Sequence, residues 1–222
     1  MRGGKEMSTT SRSAALGMLA AISLAITIAS AADKKEFRYT VKHGASITVI
    51  NEYGSVRLRA SGVNQVVVSA TPSSPQVEVR DSNGHVRVRT VGGPIRLSNL
   101  KDGFVEATSV GGSVDLDHVA GRVVSVDTTS GAIAYAGDFG GAGQYSLTSH
   151  SGSIDVSLAA RASVDLTARS VTGTVENDFP LQAPVHPLMA QNQGKWFAGT
   201  SNTGASAVRL RTFSGKIRVK KQ

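Results

Sequence analysis

The sequence has no cysteine, which excludes several kinds of chemistry. None of its 222 residues can form a disulfide, supply a thiolate to a metal or act as a thiol nucleophile. Helical periodicity is also missing beyond the N-terminal segment, which excludes the βαβ folds. Glycine is frequent, at 24 residues, but it has no three-residue period, so the chain is not collagen-like. The length suits one domain with a sizeable core.

The only apolar run long enough to suggest targeting lies at the N-terminus. It follows the basic residues Arg2, Lys5 and Arg12, covers residues 14–28 and ends before the small residues 29–31. The run is too short for a comfortable membrane span, and Ala-Ser-Ala is typical of a cleavage site. We therefore predict that residues 1–31 are a signal peptide for export to the periplasm or cell surface. A retained anchor helix is the alternative. After cleavage we expect no transmembrane span.

A short unit recurs along the rest of the chain. Each copy has a glycine with apolar residues seven and five positions earlier, Thr, Ser, Asn or Asp three earlier, and an apolar residue two later. In one copy these are Val124, Val126, Thr128, Gly131 and Ile133. Self-similarity of this kind indicates a repeat architecture. The eight anchoring glycines are Gly54, Gly84, Gly93, Gly112, Gly131, Gly152, Gly173 and Gly215.

Apolar and polar residues alternate from about Phe37 to Val219, which is typical of half-buried strands. The anchoring glycines mostly recur at intervals that fit two strands and two turns, or about 20 residues. We therefore predict an all-β fold, a β-solenoid of about 20-residue coils that occupies residues 32–222 as one domain. An antiparallel β-sandwich is the alternative. The solenoid is favoured because stacked coils need one side-chain pattern at every turn, whereas hairpins do not.

The repeated turn residues carry their own expectations. We expect the glycines to lie where the backbone turns sharply or has a positive φ, and the polar residue three positions earlier to bond the turn backbone. Residues 179–205 interrupt the pattern with three prolines and the single tryptophan. There we predict an irregular loop or hairpin in which Trp196 and Phe197 cover an apolar edge of the solenoid. An aromatic ligand platform is the alternative.

The chain is basic, with a net charge of +8. Loss of residues 1–31 removes Arg2, Lys5, Arg12 and Glu6, which leaves 21 basic and 15 acidic residues and a net charge of +6. This favours anionic partners, and no nucleic-acid recognition motif is present. The alternative is a charged surface for solubility and edge protection. As a candidate cationic face we select Arg57, Arg87, Arg89, Arg96, Arg209 and Arg218, which alternation directs outward.

No pattern predicts a catalytic or metal site. The acidic residues are scattered singly, without a calcium-binding loop, and the five histidines do not pair at ligand spacing. Residues 151–153 read Ser-Gly-Ser and lack the G-x-S-x-G elbow of hydrolases. We therefore predict a protein that is not an enzyme and that has no metal or cofactor. A β-helix enzyme that acts on a polysaccharide is the alternative.

Four segments resemble the adhesin family of bacterial envelope proteins, also called the DUF4097 or head-GIN-like adhesin domain. They are residues 51–58, 129–133, 151–156 and 212–219, and the last of them, TFSGKIRV, is the most specific. The resemblance covers roughly residues 37–221. It implies a right-handed β-helix-like fold that is exported across the inner membrane and has no catalytic residues.

The functional prediction is an exported binding or structural module that acts in adhesion or envelope organisation. The expected partners are an anionic envelope polysaccharide or lipid, or another envelope protein. A periplasmic partner of a membrane stress regulator is a further alternative. The oligomeric state is left open.

Overall fold

The structure is a computed structural model, and it describes only part of the chain. The described residues are 35–41, 45–61, 65–70, 76–81, 84–101, 103–137, 139, 141–182 and 195–222. The predicted signal peptide lies outside these residues. In the described ranges, no helix is long and apolar enough to cross a membrane.

Eighteen strands form in the described ranges. In chain order they are β1 Lys35–Thr40, β2 Ala45–Asn51, β3 Val56–Ala60, β4 Gln65–Ala70, β5 Gln76–Asp81, β6 His85–Thr90, β7 Ile95–Ser98, β8 Phe104–Ser109, β9 Val114–Asp117, β10 Val123–Thr128, β11 Ile133–Gly137, β12 Gln144–Ser149, β13 Ile154–Leu158, β14 Val164–Ser170, β15 Val175–Asn177, β16 Trp196–Ser201, β17 Ser206–Thr212 and β18 Ile217–Lys221.

The strands form two nine-stranded sheets that enclose one core. Sheet A has the order β1-β4-β3-β7-β9-β11-β13-β18-β15, and sheet B has the order β16-β14-β17-β12-β10-β8-β6-β2-β5. Each coil contributes one strand to sheet B and the next strand to sheet A. Neighbouring coils pair in parallel, as β8, β10 and β12 do. The predicted β-solenoid is therefore confirmed, and the antiparallel sandwich is wrong for the body of the fold.

Parallel pairing in register stacks equivalent residues of successive coils. Val105, Val124 and Tyr145 form one inward ladder in sheet B, and Val114, Ile133 and Ile154 form another in sheet A. All are buried in one continuous apolar core. The period-two alternation of the sequence thus places Val, Ile and Leu inside and polar residues outside.

The repeated glycines are required by close contact between coils. A Cβ on Gly131 would lie 1.9 Å from the carbonyl oxygen of Gly112, and one on Gly152 would lie 1.9 Å from that of Gly131. No side chain fits between backbones at this distance. The expected positive φ occurs only at Gly54 and Gly84 among the eight anchors. The turn therefore selects glycine mainly for space, and only rarely for conformation.

At six of the eight anchoring glycines, the hydroxyl three residues earlier accepts a hydrogen bond from the glycine amide, as predicted. Thr128 Oγ1 accepts a hydrogen bond from the Gly131 amide at 2.9 Å. Ser149 Oγ accepts one from the Gly152 amide at 2.8 Å and donates to the carbonyl of Gly131 in the preceding coil at 3.2 Å. Both hydroxyl residues are buried. The same side chain therefore closes its own turn and ties it to the neighbouring coil.

Gly84 does not belong with the other anchors. It lies before β6, at the opposite corner of the coil, where it begins a second glycine ladder. Cβ atoms built on Gly103, Gly121 and Gly143 would each meet the carbonyl oxygen of the preceding glycine of this ladder, at 2.5, 2.6 and 2.4 Å. The fold therefore has a glycine ladder at each of two corners, whereas the sequence pattern predicted one.

The last coil does not stack in sequence order. The strands β17 and β18 lie between the coil β12–β13 and the coil β14–β15. Gly215 therefore stacks on Gly152, and Gly173 stacks on Gly215. The interval of 42 residues from Gly173 to Gly215 equals about two coil lengths, but it does not add two layers along the axis. Instead, the chain first forms the outer coil β14–β15 and then returns, so that the coil β17–β18 lies one layer nearer the middle of the solenoid.

Antiparallel strands cover both ends of the solenoid. β4 pairs with β1 and β3, and β5 pairs with β2, at the N-terminal end. At the other end β16 pairs with β14, and Phe197 packs against the core. The predicted interruption at residues 179–205 thus contains an ordered capping strand, while residues 183–194 lie outside the described residues. Sheet A ends at Asn177, whose side chain bonds the backbone of Phe179 and closes the final short strand.

Replacement of Gly131 by alanine tests the close contact between coils. We expect Gly131→Ala to lower the free energy of unfolding by about 3 kcal/mol or more, because the methyl group meets a backbone carbonyl that cannot rotate away. The matched control is Gly141→Ala, since nothing lies within 4 Å of a Cβ there. Urea denaturation of both variants gives the comparison. Equal stability of the two would contradict a steric role for the ladder.

Replacement of Thr128 by valine tests the buried hydroxyl. Thr128→Val keeps the shape but leaves the Gly131 amide without its acceptor, so we expect a loss of about 1–3 kcal/mol in the free energy of unfolding. The neighbouring Thr129 is exposed, so Thr129→Val serves as the control and is expected to change stability by less than about 0.5 kcal/mol. Thermal unfolding of both variants provides the measurement.

Candidate functional site

The outer faces of the two sheets carry charged rows, because parallel register aligns the outward residues of successive coils. One such row runs across sheet A. In spatial order it consists of Arg57, Arg96, Asp115, Ala134, Asp155, Arg218 and Glu176. Opposite charges are neighbours at three places in this row, and at two of them the side chains form ion pairs between coils that are separated in sequence.

The ion pairs of sheet A use two of the predicted arginines. Arg96 Nε lies 3.2 Å from Asp115 Oδ2. Arg218 binds Asp155 through two nitrogens, with Nη2 3.1 Å from Oδ2. The hydrogen bond that Arg218 donates to Asp155 and the negative charge of Asp155 raise the pKa of Arg218. Both guanidinium groups are therefore already engaged by a carboxylate.

Sheet B carries two outward rows. The first is Thr48, Arg87, Glu106, Ser125, Ser146, Arg209 and Thr167. The second is Ile50, Arg89, Thr108, Asp127, Thr148, Arg211 and Arg169. Arg87 Nη2 lies 2.7 Å from Glu106 Oε2, so a third predicted arginine is also paired with a carboxylate.

The structure does not bring the six predicted arginines together on one face. Three lie on sheet A and three on sheet B, on opposite sides of the core. Arg87, Arg96 and Arg218 form ion pairs. Arg57, Arg89 and Arg209 are exposed and have no carboxylate partner among the described residues. Of the six predicted arginines, these three are therefore available to a ligand.

Arg57 and Arg96 border a small cavity of about 230 Å³ on sheet A. Its other lining residues include the hydroxyl-bearing Ser55 and Ser69 and the ring of Pro94. Ser69 is only 7% exposed, and it lies beside Arg57 in the paired strands β3 and β4. Hydroxyl and guanidinium donors at one cavity suit a carboxylate or phosphate group. Sequence inspection missed Ser69 because β4 runs antiparallel outside the repeat.

A second cluster forms at the C-terminal end of sheet B. Arg211 is aligned with Arg169 on the adjacent strand, and Arg209 lies two residues from Arg211 on the same face. Trp196 is aligned with Arg169 on the capping strand. Arg169 was missing from the predicted set because the sequence alone separates it from Arg211 by 42 positions. Only the inserted coil brings the two residues together.

No group of three or more histidine, aspartate or glutamate side chains is placed to hold a metal ion in the ranges that the structure describes.

The rows of stacked residues and the glycine ladders extend over nearly the whole described chain, and the comparison with known families covers the same extent. A family model described as Toastrack DUF4097 matches residues 21–220. The chain belongs to this family. The match includes all described strands except the last residue of β18. No curated protein and no solved structure matches the chain. The Toastrack assignment agrees with the DUF4097 resemblance found in the sequence, and it is consistent with the β-solenoid fold.

Proposed function

We propose that this Toastrack protein is an exported, non-catalytic binding module that engages anionic groups of the cell envelope. The observation that carries the proposal is the set of exposed arginines in aligned rows, of which Arg57, Arg89 and Arg209 lack a carboxylate partner among the described residues. Arginine binds carboxylate and phosphate groups through two parallel hydrogen bonds. These are the anionic groups that acidic polysaccharides and lipid headgroups share.

The geometry of the solenoid favours a ligand with repeated charges. Outward residues of successive coils recur about every 4.8 Å along the axis, as neighbouring strands do in any sheet. A polymer or a surface with many anionic groups binds several such positions at once, and each further contact is intramolecular. Individually weak contacts at exposed arginines therefore combine into useful affinity.

The net charge also favours an anionic ligand. The chain without residues 1–31 keeps a net charge of +6, although several of its arginines are neutralised by neighbouring coils. A net positive surface attracts anionic ligands over a distance of about 10 Å at moderate salt. We therefore expect binding to be selective for anionic ligands and sensitive to salt.

The proposal is tested with the exported form, residues 32–222, on an array of acidic and neutral polysaccharides and of anionic and neutral lipid vesicles. We expect binding to the acidic members at low salt and little binding at high salt. Arg57→Ser and Arg209→Ser are each expected to weaken that binding about tenfold, because each removes a charge-assisted contact.

The control for this test removes charges that are already paired. The double variant Arg87→Ser/Glu106→Ser leaves the net charge unchanged and is expected to bind like the original protein. Equal binding to neutral and acidic ligands, or no binding to any member, would refute the proposal and would leave a protein partner as the alternative.

A further inference from the structure

The large apolar side chains that remain exposed are concentrated at one corner of the solenoid. This corner is where each sheet-B strand ends and turns toward sheet A. Single exposed apolar residues are normal on a protein surface, but a contiguous group marks an interaction site. Among the described residues, the exposed large apolar side chains, at 45–65% exposure, are Ile50, Tyr53, Val91, Val110, Val171 and Phe213, and all lie at this corner.

Backbone hydrogen bonds join the corner residues of successive coils into a continuous line. The Gly111 amide donates to the carbonyl of Val91 at 2.8 Å, and the next coil repeats the bond, with Val110 as the acceptor. The ring of Phe213 stacks on that of His150, with centroids 5.1 Å apart and planes 5° apart. We call this line the turn row. From the N-terminal end it consists of Val91, Val110, Thr129, His150, Phe213 and Val171.

The turn row is about 24 Å long, which is five spacings of neighbouring strands. In the first coil the equivalent position is Glu52, whose carbonyl accepts hydrogen bonds from the amides of Val91 and Gly92, and the exposed Ile50 and Tyr53 lie on either side of it in the chain. On its sheet-A side lie small residues in the coils after the first, among them Gly92, Gly111 and Ser130, so in those coils no large side chain shields it there. A continuous line of exposed side chains of this kind can touch a flat surface at several points.

On the sheet-B side, the turn row is flanked by arginines. Arg89, Arg211 and Arg169 occupy the outward positions that immediately precede the corner. They are exposed and have no carboxylate partner among the described residues. Asp127 is the one acidic residue in that outward row. The corner thus combines apolar tips with a net positive flank.

We propose that the turn row is a membrane-contact edge, which lies along an anionic bilayer surface with its apolar tips at the headgroup boundary. The proposal rests on the proposed function and names a lipid surface as the ligand. Aliphatic side chains such as Val91 and Val110 are stabilised when they move from water into the acyl boundary. They cannot form hydrogen bonds with the hydroxyl groups of a sugar. The flanking arginines bind lipid phosphates, as basic residues beside inserted apolar groups do.

A second copy of this chain fits the corner less well than a membrane. In an antiparallel two-fold pair that overlaps fully, Arg89 of one copy faces Arg169 of the other, and like charges opposite each other repel. In a parallel pair the arginines face glycine, serine and threonine. Neither arrangement places a carboxylate opposite the arginines, whereas an anionic bilayer neutralises all three arginines at once.

Vesicle co-sedimentation of residues 32–222 tests the edge, with phosphatidylcholine vesicles that contain or lack phosphatidylglycerol. The apolar variant is Val91→Ser/Val110→Ser/Phe213→Ser, and the charge variant is Arg89→Ser/Arg169→Ser/Arg211→Ser. We expect the charge variant to lose about a hundredfold in affinity for anionic vesicles and the apolar variant at least tenfold. The matched control is Arg59→Ser/Arg122→Ser/Lys220→Ser, which removes the same charge away from the turn row and is expected to retain most of the binding.

A spectroscopic measurement places the edge in the bilayer directly. In the variant Trp196→Phe/Phe213→Trp the only tryptophan lies in the turn row, so its emission is expected to shift to the blue on anionic vesicles. An unshifted emission in the bound protein, or equal losses in the corner and control variants, would overturn the proposal. The proposal would also be overturned if the original protein formed a dimer in solution and the apolar variant were a monomer.

The same experiments separate this inference from the proposed function. Binding to acidic polysaccharide without binding to anionic vesicles would refute the membrane edge and would leave the proposed function in place. Failure to bind either ligand would refute both. The variants are expected to fold, because every substituted side chain is exposed except the half-buried Trp196, which another aromatic residue replaces, and circular dichroism checks this.

Discussion

The close approach of successive backbones at the glycine corners is the constraint on which the rest of the structure depends. A carbonyl oxygen of one coil occupies the space that a side chain at the next glycine would need, as between Gly112 and Gly131. This contact brings the turns within hydrogen-bond distance of each other and keeps the flanking strands in register. The buried hydroxyl of Thr128 adds to it by satisfying a turn amide that would otherwise be buried without an acceptor.

Register converts a sequence repeat into surfaces. Inside, it aligns apolar residues into ladders that no single coil could bury alone. Outside, it brings together charges that are far apart in sequence, as in the pair of Arg218 with Asp155. At the corner it aligns exposed apolar residues such as Val110 and Phe213 into one line. One stacking geometry thus produces the ion pairs, the turn row and the arginines that have no carboxylate partner among the described residues.

The stacking order of the coils is a separate matter from their register. Each coil presents nearly the same inward and turn residues, so the local pattern fits more than one neighbour. The coil β17–β18 takes a place between two earlier coils, and this insertion sets Arg211 beside Arg169. This insertion creates the arginine cluster at the end of sheet B and the C-terminal part of the turn row.

The sequence by itself determined the all-β solenoid, the coil length, and the glycine and hydroxyl of each turn, because alternation and fixed spacing act locally and repeat. It did not determine that Gly84 begins a second ladder, since one glycine pattern fits both corners of a coil. Nor did it separate the six predicted arginines into two faces or show which are paired, because alternation directs a side chain outward without saying from which sheet. Those facts, and the neighbours of Arg169, required the tertiary structure, since pairing between coils is a long-range contact.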